Sequence, residues 1–268
     1  MSFRRRGFTL VELLVVTGII GVLLAIGSPV LCRSREHANR IKCAANLRSI
    51  GHAMSMYTQQ YGYYPACALY RNDRCWALWP VRLRPFLGFA QEVFKCPAQD
   101  ERCEWEKGPA RAGAELATAE FIRFGFEVGE PLLTDDSDRF SYGYNSSGTN
   151  GLDPPPDPRH AGLGSILALI RGGPPAAEFR ASRVRAPAEM IVVVDSMVDG
   201  RWDFAAVPNY PDPRLWPGNV HGGGANTLFC DGHVTWYAQQ DLLVTYNKSV
   251  PSEEATRRRW NNNHEPNW

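Results

Sequence analysis

An uncharged apolar stretch near the start of the chain constrains the fold more than any other feature. No charged residue occurs between Glu12 and Arg33, and the apolar run extends to Leu31. A helix of this length measures about 30 Å at roughly 1.5 Å per residue, which matches the thickness of the hydrocarbon core of a bilayer. The sequence therefore predicts a membrane-inserting helix over residues 8–31.

Glu12 is the exception within this stretch, because it is a carboxylate one turn inside the apolar helix. A charged side chain costs roughly 2.5–3.5 kcal/mol near the centre of a membrane helix and less near the interface. Its presence indicates a positively charged partner.

The leader and the first turn together resemble those of a known family. Three arginines, Arg4–Arg6, precede Gly7 and the segment Phe8–Glu12, and the apolar helix follows with Pro29 near its end. This arrangement resembles the prepilin-type leader of type IV pilins and type II secretion pseudopilins, in which many of the helices kink at such a proline.

The resemblance implies processing and assembly roles for three residues. A prepilin peptidase would remove the leader, residues 1–7, by cutting after Gly7, and would methylate the new amino terminus of Phe8. In a fibre, the Glu12 carboxylate would meet the Phe8 amino terminus of a neighbouring subunit, which recovers part of the cost of desolvating both charges. The implied partners are the peptidase, other pilin or pseudopilin subunits and an inner-membrane assembly platform.

Three other kinds of signal fit the leader less well. An ordinary secretory signal would end at Ala25–Gly27, and the pair Arg5–Arg6 resembles a twin-arginine signal. Secretory apolar cores are shorter, however, and neither kind of signal would carry Glu12. A lipoprotein cut before Cys32 is disfavoured because Leu31 stands where a small residue is expected.

The charges that flank the helix predict its orientation. Arg4–Arg6 favour a cytoplasmic amino terminus, although Arg33 and Arg35 on the other side weaken the bias. We expect a single-pass inner-membrane protein whose carboxy-terminal domain is periplasmic.

Composition limits what the rest of the chain does. The net charge is +1, with 44% hydrophobic and 21% charged residues, which is typical of globular protein. Because no strongly basic face is implied, nucleic acid is not an expected partner.

A periodic stripe predicts that the membrane helix continues over residues 32–62 as an amphipathic helix. Apolar residues recur every three or four positions, and Gly62 and Pro65 are expected to end the helix. The stripe consists of Ile41, Ala44, Leu47, Ile50, Met54, Tyr57 and Tyr61. Residues 63–250 are predicted to form the globular domain, and residues 251–268 a frayed polar tail.

Three segments further along the chain predict β-structure. Residues 141–146 indicate a short strand, and the β-branched run 189–195 indicates a central buried strand. Two β-rich runs flank Asp231 and Gly232, which predicts a hairpin closed by a type I′ turn. The expected fold is α+β and pilin-like, with a long helical spine packed on an antiparallel sheet that carries loop-rich insertions.

The hairpin also contains a second resemblance. His221, nine residues and then Asp231 and Gly232 are similar to the H-x9-DG motif of a large group of pilin-like proteins with the same leader. A nine-residue strand spans roughly 30 Å, so His221 and Asp231 are expected to lie far apart. A joint metal site of His221, Asp231 and His233 would require the intervening glycines to fold back.

The seven cysteines are an odd number. In an oxidising compartment some of them are expected to pair. The favoured candidates punctuate a loop-rich region, and their connectivity is left open: Cys67, Cys75, Cys96 and Cys103.

No cofactor is expected, with one exception. Asp195, Asp199 and Asp203 are candidates for an oxygen-rich calcium site in a loop.

The sequence favours a structural role over catalysis. It has no Gly-x-Ser-x-Gly, no His-Glu-x-x-His and no phosphate-binding loop. The favoured function is a structural subunit of a type II secretion pseudopilus or a type IV pilus-like fibre, and the insertions and the length beyond a compact pilin favour a minor subunit. The alternative is an extracytoplasmic binding module or enzyme, for example one that handles polysaccharide, tethered by the helix. Glu12 favours the fibre, because a helix that only anchors a domain would gain nothing from a charged residue in its apolar stretch.

Overall fold

The computed structural model describes residues 10–71, 74–99, 116–130, 132, 140–149, 162–164, 168–169, 178–197, 203–245 and 250–266. The chain divides into two compact units, Met1–Ala38 and Asn39–Trp268.

The first element is a helix, α1, that runs from Leu10 to Tyr61 and contains Pro29. Its large apolar side chains before residue 32 are exposed. The helix ends where predicted, because Gly62 adopts a left-handed φ of 79° and its N–H is bonded to the Thr58 carbonyl at 2.8 Å. Glycine adopts this conformation without the steric penalty of a side chain.

In the second unit one face of α1 is buried. The buried residues are Cys43, Leu47, Ile50, Gly51, Ala53, Met54 and Tyr57. This face confirms the centre of the predicted stripe but not its ends, since Ile41 is 55% exposed and Tyr61 is 45% exposed. The stripe is offset because the buried contact begins at Cys43, whose Sγ lies 3.2 Å from Tyr142 Oη.

The main sheet consists of β3 (Tyr142–Tyr144), β5 (Ile191–Asp195), β6 (Gly224–Phe229) and β7 (Val234–Ala238). These four strands pair antiparallel in that order. The prediction of a central buried strand is confirmed, because β5 pairs on both edges and every residue in it is buried. Its apolar run is unbroken because Val193 packs in the core cluster that contains α1, while Ile191 and Val194 pack in a second cluster.

A smaller sheet has the order β2-β1-β4. Strand β1 (Ala68–Arg71) pairs antiparallel with β2 (Arg74–Leu78) and parallel with β4 (Ala168–Leu169). A short helix, α2 (Trp79–Leu83), follows β2, and its buried Trp79 stacks on Tyr144 of the main sheet at 5.7 Å between ring centroids. The described 3₁₀ helices are Arg84–Leu87, Glu92–Phe94, Ala119–Phe124, Ala181–Arg183, Pro213–Leu215, Gln239–Asp241 and Pro251–Glu253.

The hairpin of β6 and β7 is confirmed, but its turn differs from the prediction. The connection holds Cys230, Asp231, Gly232 and His233, and of these described residues only Gly232 has a positive φ, at 93°. A type I′ turn requires positive φ at both central residues. The wider turn instead lets the Gly232 N–H donate to the Phe229 carbonyl at 2.9 Å.

The end of the chain also differs from the predicted polar tail. Residues Glu254–Trp260 form a helix, α3, and Trp260 is fully buried against Ile191, Phe229 and Leu242. Its indole N–H donates to the Leu242 carbonyl at 2.9 Å, and its own carbonyl accepts from Asn145 Nδ2 at 2.9 Å. The helix is polar in composition, yet it buries Trp260 and Arg257.

Replacing Trp260 tests whether this terminal helix belongs to the core. We expect Trp260→Ala to lower the free energy of unfolding by about 3–5 kcal/mol, since a large buried side chain is removed. Trp260→Phe keeps most of the apolar contact and loses the N–H, so it is expected to cost about 1 kcal/mol. Chemical denaturation of the full chain in detergent measures both values. If neither variant changes the free energy of unfolding, the terminal helix is dispensable for stability.

Candidate functional site

The amino-terminal segment is the first candidate site. Gly7 and Phe8 lie outside the described residues, and Glu12 lies in the first turn of α1 with an exposed side chain. The exposed large apolar residues around and after it are Leu10, Val11, Leu13, Leu14, Val15, Val16, Ile19, Ile20, Val22, Leu23, Leu24, Ile26, Val30 and Leu31. Apolar surface on all sides of a helix needs a cover of lipid or of other helices.

By length and composition, α1 is the one described helix that is able to cross a membrane. Its polar Thr17 fits such a span, because the hydroxyl donates to the carbonyls of Leu13 and Leu14 at 3.0 and 3.1 Å. Hydroxyl groups in an apolar medium are satisfied in this way by their own helix. Together with the leader, this helix indicates a single-pass, membrane-anchored protein.

The second candidate site lies in the core and contains His221. The left-handed residues Gly222 and Gly223 fold the chain back, so that the His221 N–H donates to the Gly224 carbonyl at 3.1 Å. This fold-back does not bring His221 to Asp231. Asp231 lies at the other end of β6, where its Oδ1 bonds His233 Nδ1 at 2.6 Å.

His221 contacts residues that the motif does not contain. Its Nε2 lies 3.4 Å from Asp195 Oδ2 at the end of β5 and 3.3 Å from Cys96 Sγ. Cys96 is bonded in turn to Cys43 of α1 by a disulfide whose Cα atoms are 5.3 Å apart. All four side chains are buried. The tertiary structure therefore assembles a site from four separate segments.

The predicted disulfide group differs from this arrangement at Cys96. Cys96 pairs with Cys43, which the sequence did not mark as a partner, because the segment after Glu92–Phe94 lies on the buried face of α1. Asn46, one turn along that face, donates to the Lys95 carbonyl at 2.9 Å and holds the segment there. Cys103 and the Cys75 side chain lie outside the described residues, so pairings that involve them stay predictions. The sequence did contain one indication that Cys43 is buried, because it lies one helical turn before Leu47 and therefore on the same face of α1.

Asp195 is the acidic residue of this cluster, and its carboxyl group has a raised pKa. Burial raises the pKa of its carboxyl group to about 7, although hydrogen bonds from Asn226 act in the opposite direction. The Asn226 backbone N–H donates to Asp195 Oδ2 at 2.7 Å. The predicted calcium set of Asp195, Asp199 and Asp203 stays a prediction, since Asp199 lies outside the described residues.

Tyr142 completes the polar surroundings of the disulfide. Burial and the nearby Asp195 raise its pKa well above the ordinary phenol value, so its hydroxyl keeps its proton. Asn46 Nδ2 donates to Tyr142 Oη at 3.3 Å, which orients the hydroxyl beside Cys43 Sγ. The cluster is thus a buried set of two sulfurs, an imidazole and a carboxyl group, with a hydroxyl beside them.

Comparison with known proteins identifies the amino-terminal segment. A family model described as the prokaryotic N-terminal methylation motif matches residues 2–28. The matched stretch contains Gly7, Phe8 and Glu12 and most of the apolar run. The long helix followed by an antiparallel sheet is consistent with an α+β, pilin-like fold, as predicted.

Curated relatives agree with this match. The type II secretion system core protein G of Pectobacterium carotovorum subsp. carotovorum is 39% identical over 65 residues, which is 24% of this chain and 42% of that protein. The core protein G of Escherichia coli K12 is 37% identical over 62 residues, or 23% of this chain and 43% of that protein. The type IV major pilin protein PilA of Myxococcus xanthus is 28% identical over 144 residues, which is 54% of each chain.

These relatives define the extent of the likeness. The chain spans about half the length, or less, of the curated relatives it matches. None of their names is that of an enzyme. No solved structure is significantly similar to the chain. The likeness of residues 221–232 to the H-x9-DG group stays a prediction.

Removing the disulfide tests its contribution to the fold. It joins residues 53 positions apart, so we expect the double variant Cys43→Ala, Cys96→Ala to lower the free energy of unfolding by about 4 kcal/mol on the loop-entropy estimate. Denaturation of the full oxidised chain in detergent, followed by tryptophan fluorescence, measures the loss. The control is Cys32→Ala, which removes an exposed cysteine and is expected to change nothing. A double variant as stable as the parent would contradict a stabilising cross-link.

Proposed function

We propose that this chain is a structural subunit of a type II secretion pseudopilus or of a type IV pilus-like fibre. The observation that carries the proposal is the methylation motif over residues 2–28, which includes Glu12 and most of the exposed apolar part of α1. The similarity to core protein G and to PilA supports the same role. Length does not distinguish a minor from a major subunit here, because the major pilin PilA, of which the same 54% is matched, is about as long as this chain.

Processing is the first step of this role. A prepilin peptidase cuts after Gly7 and methylates the amino group of Phe8. Before the cut, Arg4–Arg6 hold the amino terminus on the cytoplasmic side, because cationic residues are retained there. The carboxy-terminal domain is then periplasmic, and the inner-membrane assembly platform and other subunits are the partners.

Assembly follows from the chemistry of α1. In the bilayer, lipid covers the exposed apolar side chains, and in a fibre the helices of neighbouring subunits replace the lipid. The Glu12 carboxylate pairs with the Phe8 amino group of the next subunit. Pairing offsets the cost of the Glu12 charge, which near the interface is less than the roughly 2.5–3.5 kcal/mol at the centre of a membrane helix, and fixes the axial register between subunits.

The mass of the amino-terminal peptide tests the processing step. In cells that contain a prepilin peptidase, we expect the mature chain to begin at Phe8 with one added methyl group. In matched cells without the enzyme, we expect the leader to remain. Mass spectrometry of the purified chain distinguishes the two. A chain that begins at Ser28, or that keeps Met1 in both strains, would point to a secreted or tethered protein of a different kind.

Replacing Glu12 tests the assembly step. We expect Glu12→Ala and Glu12→Gln to leave membrane insertion intact and to abolish recovery of the chain in sheared fibres and in cross-linked multimers, because both remove the charge that pairs with Phe8. Immunoblots of the membrane, sheared and cross-linked fractions measure this. Glu36→Ala is the matched control, since it removes an exposed acid of the same helix beyond the predicted span. Normal assembly of both Glu12 variants would favour the alternative function, an extracytoplasmic binding module or enzyme that the helix only tethers to the membrane.

A further inference from the structure

We propose that, when its cysteines are reduced, this protein binds a zinc ion in the core through Cys43, Cys96, Asp195 and His221. One ligating atom from each of these side chains lies within 4.8 Å of all the others. The four residues come from α1, the segment after Glu92–Phe94, the end of β5 and the loop before β6. The inference is independent of the proposed fibre role.

The distances around His221 fit tetrahedral zinc. Zinc binds cysteine sulfur at about 2.3 Å and histidine nitrogen or carboxylate oxygen at about 2.0–2.2 Å, so ligand atoms of one tetrahedron stand roughly 3.3–3.8 Å apart, with the two sulfurs at the upper end. His221 Nε2 lies 3.3 Å from Cys96 Sγ and 3.4 Å from Asp195 Oδ2. Two edges of the tetrahedron are therefore in place before any metal binds.

Asp195 has the free coordination capacity that a ligand needs. Its Oδ2 accepts from the Asn226 N–H at 2.7 Å, which fixes the orientation of the carboxyl group. Its Oδ1 is buried and has no hydrogen-bond partner among the residues that the structure describes. A cation bound by Oδ2, the oxygen next to His221 Nε2, would also lie close to Oδ1 and so would lower the cost of burying the carboxylate.

The surroundings supply the hydrogen bonds that accompany structural metal sites. Tyr142 Oη lies 3.2 Å from Cys43 Sγ and is oriented by Asn46, so it is placed to donate to a thiolate. The His221 carbonyl accepts from Trp236 Nε1 at 2.9 Å, which fixes the loop that carries the imidazole. Outer contacts of this kind orient ligands and tune their basicity.

The donor set selects the metal. Two thiolates, an imidazole and a carboxylate form a soft and borderline set that suits zinc, whereas calcium prefers six to eight oxygen atoms. The structure thus places Asp195 with sulfur and nitrogen donors. Two thiolates and one carboxylate leave a net charge of −1 around Zn²⁺, which the N–H of Asn226 and the hydroxyl of Tyr142 partly offset.

Zinc and the disulfide exclude each other. A phosphine reductant with one water molecule supplies the two electrons and two protons that convert the Cys43–Cys96 bond into two thiols, and it leaves as the phosphine oxide. Zinc then displaces both thiol protons to solvent, since only the thiolate form binds the metal. The same two residues therefore join α1 to the segment after Glu92–Phe94 either by a covalent bond or through a metal ion, and the metal ion would also join both to β5 through Asp195.

Refolding with zinc tests the proposal on the full chain in detergent. The chain is reduced with a phosphine in denaturant and diluted into detergent with or without zinc chloride. We expect one tightly bound zinc ion per chain after gel filtration and a higher unfolding temperature than in the metal-free sample. The oxidised chain is expected to bind none at this site. Cobalt(II) is a second probe, because tetrahedral cobalt bound by thiolates gives intense visible and near-ultraviolet bands.

Ligand variants separate this site from the other cysteines. We expect Asp195→Asn and His221→Ala to weaken zinc binding by about 100-fold or more and the double variant Cys43→Ala, Cys96→Ala to abolish the cobalt–thiolate bands. His233→Ala, which removes the histidine of the hairpin turn, is the matched control and should leave the affinity unchanged. Circular dichroism checks that each variant folds.

Two results would overturn the proposal. One is a reduced parent chain that refolds, or fails to refold, in the same way with and without zinc and binds none. The other is zinc binding of unchanged affinity in the folded Asp195→Asn and His221→Ala variants, which would assign the metal to other cysteines. The fibre proposal is tested by the amino-terminal mass and by fibre recovery, and neither measurement depends on zinc. A negative zinc result therefore leaves the fibre proposal standing.

Discussion

The packing of α1 on the main sheet is the interaction on which the rest of the second unit depends. The buried face of the helix shares one core cluster with Tyr142, Val193 and Leu228, which belong to three different strands. Gly51 permits this contact, because a Cβ atom there would lie 2.8 Å from Leu228 Cδ1. Loops and short helices are then arranged around a helix–sheet pair that fills most of the interior.

The opposite side of the sheet is closed by the end of the chain. Trp260 packs on Ile191, Phe229 and Leu242, while Asn145 ties the two sides together by donating to the Ile191 and Trp260 carbonyls at 2.8 and 2.9 Å. Strand β5 is consequently covered on both faces and paired on both edges. This burial explains why its sequence shows no alternation of polar and apolar residues.

The helix–sheet contact also buries two polar groups, the Asp195 carboxyl group and the His221 imidazole. Apolar side chains alone would pack there at lower cost, since burying an imidazole and a carboxyl group disfavours their charged forms. The cost is offset where each group has a partner, as Asp195 has in Asn226 and His221. The disulfide between Cys43 and Cys96 fastens the helix to the segment after Glu92–Phe94, and the proposed zinc ion would also fasten it to β5 through Asp195.

The sequence by itself determined the features that depend on near neighbours in the chain. Among these are the apolar helix with Glu12, the end of α1 at Gly62, the buried run of β5 and the β6–β7 hairpin, because periodicity, glycine and β-branched residues act locally. Only the tertiary structure decided the pairing of Cys96 with Cys43, the burial of Trp260 and the meeting of His221 with Asp195. Those contacts join distant segments, and their partners depend on which surfaces pack together, which no local pattern encodes.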